Sequence, residues 1–83
     1  MIYLTQQQWD SRVKTIAKKR LYKFHKALTF ASMGHYFDKE CILEIQNDCS
    51  GITVVIDETK YKEMRQLFMN HSDDELRTRG LFA

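Results

Sequence analysis

Seven of the chain's thirteen basic side chains fall within one fifteen-residue stretch that holds no acid: Arg12, Lys14, Lys18, Lys19, Arg20, Lys23 and Lys26. Phosphate groups are held by such arrays, with Lys and Arg supplying charge and Ser, Thr and Tyr supplying neutral donors. Wound as a helix at about 100° per residue, Arg12, Lys19, Lys23 and Lys26 share one flank within roughly 60°, and Lys14, Lys18 and His25 share the other. Ser11, Thr15, Tyr22 and Thr29 lie between the two rows. Arg20 belongs to neither row, because it falls inside the apolar arc between Ile16 and Phe24. A charge there must pair with an acid within the fold, for which Glu44 and Glu63 are candidates, snorkel outward, or reach a partner as an interface anchor. The candidate partner-binding set is therefore Arg12, Lys19, Arg20, Tyr22, Lys23 and Lys26, facing either protein or nucleic acid.

Other chemistry finds less support. Cys41, Cys49, His25, His35 and His71 show no C-x2-C or H-x3–5-H spacing, so no metal site is expected. Cys41 reads as a core residue and Cys49 as a turn residue, both reduced, with a bridge between neighbouring strands as the alternative. Cys49 beside Ser50-Gly51, with a distant His35, is the one nucleophilic arrangement that can be built, and a turn cysteine is ordinarily inert. Asp57 and Glu58 are explained by helix capping. The three glycines are spent on turns and caps, leaving no phosphate-cradling loop. The expectation is a protein that binds without catalysing, with no cofactor.

The basic rows need a helix to carry them. Thr5 to Ser32 supplies one, with Thr5 and Gln8 forming a capping box and Leu4 and Trp9 a hydrophobic staple. Trp9, Val13, Ile16, Ala17, Leu21, Phe24, Ala27, Leu28 and Ala31 make its core-facing stripe. Met33-Gly34 is expected to end it, with Gly34 as a left-handed cap, and His35 to Lys39 to connect onward. Phe37 in that connection either plugs the open end of the following hairpin or, with His35 and Tyr36, marks an interface. The hairpin has Cys41, Leu43 and Ile45 on one face, a five-residue turn at 47–51, then Ile52, Val54 and Ile56 on one face. Asp57 caps a second helix with Tyr61, Met64, Leu67 and Phe68 inward. Ser72 and Glu75 box the start of a short last helix that ends at Gly80, after which Leu81-Phe82 tucks back. The fold class is α+β: a long N-terminal helix packed on a β-hairpin, with a third edge strand offered by residues 2–4, followed by two shorter C-terminal helices.

At 83 residues the chain makes one domain, 1–83, whose thin core buries about 60–65% of its unfolded surface. Its composition, 43% hydrophobic and 29% charged, is that of a folded globular protein. No stretch is long and apolar enough to span a membrane and no leader is recognisable at the N-terminus, so the expected location is cytoplasmic. The net charge of +2 conceals a split: residues 1–36 carry seven bases against Asp10, and residues 37–83 carry six bases against ten acids. Either the halves neutralise one another on packing, or the split marks an electrostatic partner surface.

A helix, strands and a helix raise the double-stranded-RNA-binding module, but the second helix opens DETKYKE where that module requires a lysine-rich start. In type the chain resembles the small stand-alone regulators and inhibitors that bacteriophages and mobile elements encode. That resemblance implies binding to a host protein in the host cytoplasm. The alternative is nucleic-acid binding through the basic face of the long helix. Self-association into a homodimer is compatible with the first reading, since the core is thin.

Overall fold

The computed structural model describes residues 1–25 and 30–80. Its elements run β1 (Ile2–Thr5), α1 (Gln6–Phe24), α2 (Phe30–Cys41), β2 (Ile42–Asp48), β3 (Gly51–Ile56), α3 (Glu58–Asn70) and α4 (Asp73–Thr78). The strands form one antiparallel sheet in the order β1-β3-β2. The α+β architecture expected from the sequence is therefore present, and residues 2–4 do supply the third strand, on the edge opposite β2.

Local signals account for the boundaries. Thr5 accepts from the Gln8 amide while the Gln8 side chain accepts from the Thr5 amide, the capping box read from the sequence. Asp57 accepts from the Lys60 amide to open α3, and Ser72 and Glu75 box the start of α4. Hydrogen bonds from the His71 ring, then from the Ser72 amide and hydroxyl, hold the Glu75 carboxyl below the usual carboxylate range.

The long helix is not continuous. α1 stops at Phe24, and His25 takes a left-handed conformation (φ 59°) whose N–H bonds the Leu21 carbonyl at 2.9 Å. A left-handed residue ends a helix, and His is among the side chains that tolerate it. Gly34 is not a cap, and His35 to Lys39 is not a connection, because both lie inside α2. α2 turns Met33, Phe37 and Cys41 inward at a spacing of four residues, and all three are buried. Phe37 thus fills the core rather than the hairpin mouth or an interface. Lys26, Ala27 and Leu28 lie outside the described residues, as does the expected return of Leu81-Phe82; the side chain of Ala31 is outside them too.

The core forms between the three longer helices and one face of the sheet. Trp9, Val13 and Ile16 enter from α1, Val54 and Ile56 from β3, Tyr61, Met64 and Phe68 from α3, and Leu76 from α4. Its centre is aromatic: Trp9 meets Tyr61 edge-on at 5.7 Å and Phe37 at 6.3 Å, and Phe37 lies 5.1 Å from Phe68. Edge-on pairs set the positive rim of one ring against the negative face of another. The Trp9 indole N–H donates to Asp38 at 2.6 Å, so the core's largest side chain keeps its polar end satisfied and ties α1 to α2.

Candidate partner-binding surfaces

Arg20 lies at the centre of the core-facing side of α1, with 0% of its surface exposed. Its guanidinium donates to the Phe68 carbonyl, to the His71 carbonyl at 2.7 Å and to the Asp73 carboxylate. The group stacks over Phe24 at 5.2 Å and Phe68 at 5.4 Å, and its Nε has no hydrogen-bond partner among the described residues. The charge is paired inside the fold, but by Asp73, not Glu44 or Glu63. Glu44 and Glu63 are both exposed, whereas Asp73 begins α4 and its carboxylate meets the guanidinium. Arg20 therefore offers no surface to a partner. It fastens α1 to the carbonyl end of α3 and the amino end of α4, where its charge also suits the α3 dipole.

The other sequence-selected residues divide. The Arg12 guanidinium sits 5.5 Å from the centre of the Tyr61 ring, and Arg65 of α3 lies 5.9 Å from the same ring. Lys23 donates to the Met69 carbonyl at 2.7 Å and lies over Phe24. Lys19 is exposed, as is Lys18 beside it, and Tyr22 is 80% exposed on the turn that follows. Arg12, Lys18, Lys19 and Arg65 have no carboxylate partner among the described residues. The halves do not neutralise one another there. Apart from Arg20–Asp73, the ion pairs among the described residues join groups of the second half to each other: Lys60–Glu40, Lys62–Glu58, His71–Glu75 and Arg77–Asp74. Lys26 lies outside the described residues.

A second surface departs from the sequence expectation. By alternation, Leu43, Ile45 and Ile52 should lie on the long helix with Val54 and Ile56. Val54 and Ile56 do, but Leu43 is 57% exposed, Ile45 58% and Ile52 41%. Two features explain this. The pairing of β2 with β3 shifts between Ile42 and Glu44, so Leu43 is an extra residue opposite the central strand. Beyond it, Ile45 pairs with the buried Val54 but sits on the edge strand outside the core cluster, and Ile52 pairs with Asn47 nearer the turn. The turn is also tighter than expected. Cys49 and Ser50 alone separate the strands, with Gly51 at φ 134° and the Asp48 carboxylate accepting from the Ser50 hydroxyl at 2.6 Å and its amide at 2.8 Å. Those bonds, the hydroxyl's first, hold the Asp48 carboxyl below its usual range.

Among the described residues, no strand pairs with the outer edge of β2. Seven residues long and without Lys or Pro, it has the bulge at Leu43 and two acids as its protections against further pairing. Its charges are acidic, Glu44 and Asp48. Among the described residues no group of three or more His, Cys, Asp or Glu is placed to hold a metal ion, and no helix is long and apolar enough to cross a membrane. Cys41 and Cys49 are both free thiols, the first buried and the second exposed. Set against family models, curated proteins and solved structures, the chain matches none of them.

Proposed function

We propose that this is a non-enzymatic binding protein that takes up an extended segment of a protein partner along the outer edge of β2. One observation carries the reading. Leu43, Ile45 and Ile52 follow the pattern of a buried sheet face in the sequence, yet lie open along an edge that no described strand pairs. An added strand would satisfy the free N–H and C=O groups of β2, and its alternate side chains would cover Ile45 and Leu43. Because β2 offers Glu44 and Asp48 and no base, the fitting partner is an apolar segment flanked by Lys or Arg. A domain that occupies such a segment acts as a regulator or inhibitor of the protein that owns it. This is the role that the chain's size and type resemble in bacteriophage and mobile-element proteins acting on a host.

The test is capture from nuclease-treated host lysate with a photo-crosslinking side chain at Ile45, set against two variants. The reading expects a crosslinked protein that Glu44→Lys weakens and Leu43→Lys abolishes, while Lys18→Gln with Lys19→Gln leaves it unchanged. Capture that depends on the α1 lysines and ignores β2 overturns it. So does a doubling of mass in light scattering that Leu43→Lys abolishes, because the edge would then belong to a second copy.

A further inference from the structure

The outward face of α1 stands apart from the β2 edge and has a chemistry of its own. The chain balances its other exposed helices with neighbouring opposite charges: Glu58 with Lys62 in α3, and Asp74 with Arg77 in α4. α1 does the reverse. Lys14 and Lys18, and Lys19 and Lys23, are like charges one turn apart, an arrangement that opposes helix formation. The one acid of α1, Asp10, is half-buried and accepts from the Gln6 amide. The repulsion is increased from outside, because Arg12 and Arg65 are both drawn to the Tyr61 ring with no carboxylate between them. Arg12, Lys18, Lys19 and Arg65, which no carboxylate neutralises among the described residues, are relieved by a polyanion.

Tyr22 decides which polyanion. It lies one turn beyond both Lys18 and Lys19, is 80% exposed, and has no core to cover. A bare aromatic face beside paired cations suits unpaired bases, which stack while their phosphates are held. It adds nothing to binding an acidic peptide. A duplex keeps its bases stacked on one another and would leave Tyr22 idle.

We propose that the α1 face binds single-stranded nucleic acid without sequence preference, with Lys18, Lys19, Arg12 and Arg65 holding phosphates and Tyr22 stacking a base. Arg12 and Lys19 are about 10 Å apart along the helix, so the site spans several nucleotides. Lys23, engaged with the Met69 carbonyl, contributes charge at the edge of the site rather than a free contact.

The experiment is fluorescence anisotropy of the full chain with a labelled twenty-residue oligothymidylate, at 50 and 200 mM salt. The expected result is binding that weakens more than tenfold across that range, as three or more phosphate contacts require. Tyr22→Ala should weaken binding at least fivefold while leaving the salt slope unchanged, and Tyr22→Phe should restore it. Lys18→Gln with Lys19→Gln should flatten the salt slope. All these positions are exposed, so each variant should keep the parent's far-UV circular dichroism spectrum. The proposal is overturned by absence of binding at 50 mM salt. It is equally overturned if Tyr22→Ala binds as the parent does, if a duplex of the same length binds more tightly, or if polyglutamate displaces the oligonucleotide at equal charge.

Discussion

At the scale of single residues, Arg20 and the two cysteines show how environment sets the role of a reactive group. Arg20 has traded water for two carbonyls, one carboxylate and two aromatic faces. Removing it leaves Asp73 without its partner at a partly closed site and strips a donor from each carbonyl. Arg20→Ala is therefore expected to cost about 3–5 kcal/mol in urea unfolding. Arg20→Lys should cost less but still measurably, because one ammonium cannot replace a planar fork. A loss below about 1 kcal/mol for Arg20→Ala would return this residue to the surface. Cys41 illustrates burial acting on a neutral group: desolvation first, with Glu40 adding to it, pushes its thiol from 9.0 up to about 12. Because the folded pKa is raised, the unfolded chain loses this proton first. Stability that Cys41 supports in full below pH 9 declines as the pH rises from 9 towards 12. A thiol-specific reagent at neutral pH should find one reactive group in the native protein, Cys49, and two in denaturant. The alkaline loss of stability should diminish in Cys41→Ala, which is measurable as the urea midpoint at pH 8 and pH 10.

At the scale of elements, the decisive event is the break after Phe24, and it was illegible for a physical reason. A helix stop is read from Gly, Asn or Pro, and here the left-handed residue is His25, which any helical window accepts. Gly34 stands where a stop signal would be believed, so the expected helix ran through His25 and ended at Gly34. The missed signal was the repeat of Met33, Phe37 and Cys41, which requires a helix across the supposed connection. The caps at Thr5, Asp57 and Ser72 were legible because each needs only a side chain three residues from its amide. The correction has a test. A Cβ added at Gly34 meets nothing within 4 Å. In mid-helix, Gly34→Ala should stabilise the protein by about 0.5–1 kcal/mol, seen as a raised melting temperature. Were Gly34 a left-handed cap, the same substitution would destabilise it. At His25 the opposite logic holds: His25→Gly relieves the left-handed strain and should also raise the melting temperature. The β-hairpin was legible as an element but not as a surface. Alternation reports which residues share a face, and it cannot report which strand lies at the edge of the sheet or how far along the strands the helices reach. That is why Ile45 and Ile52 were assigned to the core, and why the sequence-selected site lay on α1 alone.

At the scale of the molecule, the apolar core and the two candidate surfaces are spatially separate. The Cα radius of gyration is 13.2 Å, against about 12 Å for a compact chain of this length, and the longest extent is 42 Å beside 21 and 20 Å. One cluster gathers side chains from every helix and from β3, while β2 contributes only the half-buried Ile42 at its margin. Cooperativity follows the cluster. Trp9 lies at its centre, in contact with α2 and α3 through Phe37, Tyr61 and Asp38, so its surroundings cannot loosen while the helices persist. Trp9 fluorescence and far-UV circular dichroism should therefore report one coincident urea transition. The distal hairpin has no such anchorage. Beyond Thr53, the last residue of β3 to pair with β1, its two strands have each other on one side and solvent on the rest, so it can open without disturbing the core. In native-state hydrogen exchange, the amides of Val54 to Ile56 should exchange only through global unfolding. Those of Ile52 and Asn47 should exchange through smaller openings whose free energy is insensitive to Arg20→Ala. Binding of a strand partner at β2 would raise protection at the hairpin without moving the Trp9 transition by more than the binding free energy itself. Two separate transitions in the parent protein, or a hairpin as slow to exchange as β3's inner residues, would mean that the hairpin belongs to the cooperative core. The exposed Leu43, Ile45 and Ile52 would then need another explanation.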